Sequence, residues 1–254
     1  DRPSHSISLR SPLMPDVSCH EMTLPSLVLL PGLDGTGLLF GPLLGALPAE
    51  VSPIVVSYPG DKPLTYSELL PLVLGALPSD RPFVLLGESF SGPLAVMAAA
   101  TGPSGLVGVV LCASFIRNPH PYVASALAAV VRSSVLRLFP LFSQVKALLG
   151  SYSSPSLRSL TREALSRVAP AVLAGRIHEV LRVNVVQQLR ACTVPILYLR
   201  ARSDFVVPAW NITAIRKAYP GLQVVSLPGP HMVLQASAKA AAEALTHFLT
   251  ANAS

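Results

Sequence analysis

The chain has 254 residues, 51% hydrophobic and only 13% charged, a balance too apolar for disorder and long enough to bury the core of one undivided α/β domain. Its net charge of +6 comes mostly from arginine, much of it in one middle segment. Those arginines are not interleaved with aromatics, and no helix-turn-helix, zinc or RNA-binding signature accompanies them, so no nucleic-acid partner is expected and a solvated basic face is.

Residues 1–21 are polar, with Pro3, Pro12 and Pro15, and read as an irregular lead-in in which residues 5–9 alternate like a short edge strand. They hold no apolar core of signal-peptide length, and a cytoplasmic location is expected. Met14 and Met22 both stand as candidate natural starts, with the earlier residues then upstream or foreign sequence. Ser26-Leu-Val-Leu-Leu30 predicts a buried parallel strand running into Pro31-Gly-Leu-Asp-Gly-Thr-Gly37. Residues 38–47 predict a mostly helical stretch despite Pro42, and residues 54–58 a second strand ended by Pro59-Gly60. Residues 65–77 predict a helix in which Thr65 and Glu68 have the spacing of a capping box. A strand over 83–86, a helix over 90–100 and a strand over 106–112 follow. This alternation implies a parallel sheet with helices on both faces.

From 118 to 190 the pattern changes to helix-like apolar spacing, over 123–136, 141–149, 157–168 and 171–185, punctuated by prolines. It reads as a helical cap inserted between a first core part, 22–117, and a second, 191–254. The second part predicts a strand over 195–200, a helix over 209–218, a last strand over 222–227 and a closing helix over 237–249. The stretch 89–116 carries no charge and has the length of a membrane span, but Gly102-Pro-Ser-Gly105 breaks it, so two buried core elements are expected and no stable membrane insertion. Cys19, Cys112 and Cys192 are odd in number with no metal-like spacing, so neither a disulfide scaffold nor a metal site is expected.

The chemistry centres on Gly87-Glu-Ser-Phe-Ser-Gly92, at a predicted strand-to-helix turn. It is close to G-x-S-x-G, the elbow that lifts a serine above the sheet edge, with Ser91 standing where the second glycine belongs. A serine needs a base, and in this architecture an acid and then a histidine follow it. Asp204 is the one aspartate after Ser89, just beyond a predicted strand. Of His120, His178, His231 and His247, His231 alone lies in a loop after a predicted strand. Ser89, His231 and Asp204 are therefore expected as nucleophile, base and orienter. The Phe90 amide and the Leu33 amide, in the glycine-rich loop, are the expected oxyanion donors. That loop lacks G-x-G-x-x-G and a following Gly-Lys-Ser/Thr, and Asp34 would repel a phosphate, so nucleotide binding is not expected.

Together the elbow, Leu30-Pro-Gly-Leu-Asp-Gly-Thr-Gly37, Arg202-Ser-Asp204 and Pro230-His231 resemble the α/β-hydrolase family. The glycine loop is similar to those of bacterial esterases and phytyl-ester-synthase-type acyltransferases. The resemblance implies the α/β-hydrolase fold, a mostly parallel central sheet with flanking helices and a helical cap. Three features depart from it: Ser91, Pro31 where many relatives carry histidine, and few residues before Leu24 for the family's first antiparallel strands.

A serine carboxylesterase without metal or cofactor is expected, acting through an acyl-enzyme on Ser89 on a small-molecule, hydrophobic ester of short to medium acyl chain. Gly32, Asp34, Ser91, Phe139, Phe142 and Met232 are its expected substrate contacts. Arg132, Arg137 and Lys146 on the cap read as a solvated face rather than a lipid-binding one. Acyl transfer or thioester cleavage on the same triad is the alternative, and a catalytically silent ligand receptor a more distant one. A dehalogenase or epoxide hydrolase would need aspartate at the elbow.

Overall fold

The computed structural model describes residues 24–121 and 148–253. The expected edge strand at 5–9, the helix expected over 123–136, most of that over 141–149, and Cys19 lie outside these residues. So do Phe139, Phe142, Arg132, Arg137 and Lys146.

Six strands form one sheet: β1 (Ser26–Leu30), β2 (Pro53–Val55), β3 (Phe83–Glu88), β4 (Leu106–Cys112), β5 (Ile196–Ala201) and β6 (Gln223–Leu227). All pair in parallel, in the order β2-β1-β3-β4-β5-β6. Side chains alternate between the faces of a strand, so each central strand feeds two cores. Val28, Leu30, Leu85, Val109 and Leu111 pack on one side, and Leu27, Leu29, Val84, Leu86 and Val110 on the other. The first side is covered by α2 (Tyr66–Gly75), α3 (Ser91–Ala100), α6 (Val186–Ala191) and α7 (Trp210–Ala218). The second is covered by α1 (Gly41–Leu44), α8 (Val233–Ala236) and α9 (Ala238–Ala251). Between β4 and β5 lie α4 (Pro155–Ser166) and α5 (Pro170–Arg182). The expected fold class is therefore found, and no antiparallel strand joins the sheet among the described residues.

Several boundaries moved for local reasons. The stretch expected as mostly helical over 38–47 is a 3-10 turn, Leu38–Phe40, and a single α-turn, Gly41–Leu44, with Pro42 in that first turn, where its missing N–H leaves no helical bond unmade. Strand β2 is shorter than the expected 54–58; beyond Val55 the chain leaves the strand register, and the Tyr58 N–H donates to Gly35 O at 2.7 Å. The expected helix over 171–185 ends at Arg182, and Asn184 makes an antiparallel bridge with Arg117 before α6 begins. The capping box is present: Thr65 N–H donates to Glu68 Oε2 at 2.8 Å, and Glu68 N–H to Thr65 Oγ1 at 3.3 Å.

Register decides where the loops emerge. Leu30 pairs with Gly87, Glu88 with Cys112, and Ala201 with Leu227, so the carboxyl ends of β1, β3, β4, β5 and β6 finish at one edge. The strand order reverses between β1 and β3, so the loops leaving them diverge and open a crevice there.

Candidate active site

Ser89 follows β3 directly and has φ +48, the left-handed region that non-glycine residues rarely occupy. Three contacts hold it there. Its N–H donates to Cys112 O at 2.9 Å, and its carbonyl accepts from the Ser114 hydroxyl at 2.6 Å and from the Gly92 N–H at 3.1 Å. The turn is so tight that a Cβ on Gly87 would lie 2.4 Å from the Ser91 carbonyl oxygen.

Asp204 lies three residues beyond β5 and His231 four beyond β6. Asp204 Oδ1 accepts the Val206 and Val207 N–H groups, both at 2.8 Å, which aims Oδ2 at His231 Nδ1, also at 2.8 Å. A carboxylate only accepts, so Nδ1 carries the proton and Nε2 is left to accept. Ser89 Oγ lies 2.8 Å from Nε2 and donates to it. Asp204 and His231 side chains are 5% and 6% exposed, so water competes little for these bonds. A hydroxyl so placed can be deprotonated as it attacks an electrophile.

The loop after β1 faces this serine. Gly35 N–H donates to Gly32 O at 3.0 Å, closing a turn, and Gly35 has φ +69. Asp34 is buried; its Oδ2 accepts from the Thr36 N–H at 2.8 Å and the Thr36 hydroxyl at 2.5 Å. A cavity of about 570 Å³ opens above Ser89 and His231. Its walls are mostly apolar, with Leu33 and Phe90 beside the serine, Leu165 from α4, and Leu173, Ile177 and Leu181 from α5.

The model of the Alpha/beta hydrolase family matches residues 27–244. The chain belongs to the alpha/beta hydrolase family. It is 25% identical over 252 residues to the 2-(acetamidomethylene)succinate hydrolase of Mesorhizobium japonicum, spanning 89% of this chain and 88% of that protein. Among solved structures, an esterase from Exiguobacterium antarcticum superposes with a TM-score of 0.78 at 14% identity, over 89% of this chain and 92% of its own. An enol-lactonase from Burkholderia xenovorans LB400 gives 0.77 at 18% identity, with the same two coverages of 89% and 92%. A thermophilic esterase from Thermogutta terrifontis gives 0.76 at 20% identity, over 91% of each chain. These likenesses show a shared fold.

Within this alpha/beta hydrolase, Gly32, Leu33, Asp34, Phe90 and Met232 line the cavity, while Ser91 does not, contrary to its expected substrate contact. Ser91 is fully buried; its hydroxyl donates to the Pro31 carbonyl and lies 2.7 Å from the Tyr58 hydroxyl. Its single proton goes to a carbonyl, which can only accept, so Tyr58 is the donor of the second bond. Ser91 thus ties the elbow to the loop after β1. The close-approach glycine on the helix side is Gly92, where a Cβ would lie 1.9 Å from Ser114 Oγ.

Three residues at the site went unrecognised in the sequence. His120 lines the cavity and its Nε2–H donates to Val206 O at 2.7 Å, joining the β4 and β5 exit loops. Glu88 is buried in the cavity floor beside Ser89; burial pushes its carboxyl up to about 7 against the Gln235 amide, which donates to Oε1 at 2.9 Å. Arg176 on α5 is 1% exposed, although the arginines of this segment read as solvated. Its signal was available: Leu173, Arg176, Ile177 and Val180 form one i, i+3, i+4 stripe. Cys112 and Cys192 are buried and free, as expected for packing cysteines. Among the described residues no helix is long and apolar enough to cross a membrane, and no group of three His, Cys, Asp or Glu could hold a metal.

Proposed function

We propose that the protein is a serine carboxylesterase of hydrophobic, short- to medium-chain esters, with the segment 118–190, which carries α4 and α5, as its cap. The observation that carries this reading is the line from Ser89 Oγ to His231 Nε2 and from Nδ1 to Asp204, 2.8 Å at each step, on the floor of an apolar cavity. Ser89 Oγ attacks the ester carbonyl while its proton passes to His231 Nε2. Asp204 holds the ring in the Nδ1–H tautomer and stabilises the imidazolium. The carbonyl oxygen becomes an oxyanion that accepts from the Leu33 and Phe90 amides. As the tetrahedral intermediate collapses, the carbon–oxygen bond to the alcohol breaks and His231 returns the proton to it. Water then enters, loses a proton to Nε2 and attacks the acyl carbon, and the acid leaves as Ser89 is reprotonated.

The apolar walls from α4 and α5 suit an uncharged acyl group. A succinate, as named for the Mesorhizobium relative, suits them less: the acidic residues Asp34 and Glu88 are among those lining the same cavity, and the Arg176 guanidinium is engaged by backbone carbonyls. A panel of p-nitrophenyl esters of increasing chain length tests the reading. Wild type should turn over uncharged esters and Ser89→Ala should lose at least 10³-fold in kcat, a magnitude expected from losing a nucleophile. Equal turnover by the two proteins would sink it.

A further inference from the structure

The loop after β1 must present the Leu33 amide to the oxyanion, yet Gly32, Gly35 and Gly37 leave its backbone permissive. The brace comes from α5. Arg176 Nη1 donates to the carbonyls of both Leu33 and Asp34 at 2.8 Å, and Nη2 donates to Pro59 O at 2.9 Å. The guanidinium also lies 5.7 Å from the Tyr58 ring centroid and 6.0 Å from that of Phe90. One side chain therefore touches the carbonyl of one expected oxyanion donor residue and the ring of the other. Gly35 makes room for it, since a Cβ there would lie 2.5 Å from Nη1.

A guanidinium on the apolar stripe of a helix carries a large desolvation cost, and an aliphatic residue would serve packing better. Burial lowers its pKa, and the Asp34 carboxylate acts against that shift. Leu33, Asp34 and Phe90 line the cavity, whereas Arg176 is not among the described residues that do, so the charge stands behind the loop, away from substrate.

We propose that Arg176 is a positioning residue for the oxyanion hole: by holding the Leu33 and Asp34 carbonyls away from the cavity and bracing Phe90, it keeps both donor amides facing the Ser89 oxyanion. The proposal rests on the serine-esterase reading and makes α5 part of the catalytic apparatus. A lysine cannot replace the residue, because a point charge does not reach carbonyls in two directions as the planar fork does.

The test compares Arg176→Lys, Arg176→Gln and Arg176→Met with wild type on p-nitrophenyl esters and on an alkyl trifluoromethyl ketone. That ketone forms a tetrahedral adduct on serine whose oxygen occupies the oxyanion hole. Removing one oxyanion donor outright costs about 10²–10³ in kcat, so misplaced donors should cost about 10–100-fold, with KM within about threefold of wild type. The ketone Ki should rise by the factor by which kcat/KM falls. A fall in melting temperature with kcat and Ki unchanged would overturn the proposal in favour of a packing role, and so would a rise in KM alone. If Arg176→Met fails to fold, the Lys and Gln variants carry the comparison. Fluorophosphonate labelling of wild-type Ser89 keeps the two readings apart. No label refutes the esterase, whereas labelling with unaltered variant kinetics refutes only the role of Arg176.

Discussion

Replacing Ser91 with the glycine of the G-x-S-x-G pattern should destabilise this protein. The wild-type hydroxyl donates to the Pro31 carbonyl and accepts from Tyr58, with Ser91 fully buried and Tyr58 5% exposed. Ser91→Gly leaves both partners without a bond inside the core. Each buried orphan costs about 1–3 kcal/mol, so the pair amounts to about 2–6 kcal/mol. For a chain of this size, at about 2–4 °C per kcal/mol, that lowers Tm by about 4–24 °C. Tyr58→Phe should cost only about 1 kcal/mol, since Ser91 keeps its bond to Pro31. In a cycle of Ser91→Ala, Tyr58→Phe and the double variant, the double should cost about 1–2 kcal/mol less than the sum, because its second change removes a group already orphaned. Urea unfolding with unchanged slopes measures all of these. A Ser91→Gly protein as stable as wild type, or strict additivity in the cycle, would refute the reasoning.

Asp204→Asn should lower kcat by about 10²–10⁴-fold, because the amide permits the wrong His231 tautomer; ester kinetics at constant pH measure it, and undiminished activity would assign the orienting role elsewhere. Gly92→Ala should reduce soluble yield and activity together, since its Cβ would lie 1.9 Å from the Ser114 Oγ that bonds the Ser89 carbonyl. Glu88 gives a pH prediction. Its carboxyl is raised from 4.5 to about 7 in the fold, so between those values the native state binds more protons than the unfolded one. Its contribution is complete below about 4.5 and is lost as pH rises through about 7. Glu88→Gln should therefore gain thermal stability relative to wild type between about pH 5 and 8, as read by melting temperature across that range.

The sheet was legible because apolar runs bounded by glycine and proline carry the strand signal on their own. Residues 26–30 and 106–112 were located to the residue, and the capping box marked the start of α2. Asp204 and His231 were legible because position after a strand, a one-dimensional property, decides which loops meet at the carboxyl edge. What periodicity could not convey was the third dimension. The Ser91 hydroxyl looked like a site group because sequence cannot tell which side of the elbow it faces, and only the approach of Tyr58 and Pro31 decides that. Arg176 looked solvated because its carbonyl partners lie more than a hundred residues earlier in the chain. Glu88 occupies a variable position of the motif, and its burial follows from the closure of α8 over the cavity floor through Gln235.

The central claim is that Ser89 forms an acyl-enzyme, and trapping that species tests it most directly. A slowly deacylating p-nitrophenyl ester should release a burst of one nitrophenol per chain, and acid quenching followed by peptide mass spectrometry should find the acyl mass on the peptide containing Ser89. Ser89→Ala should show neither. An unacylated Ser89 in wild type during steady turnover of the same ester, or a burst that survives in Ser89→Ala, would contradict the account.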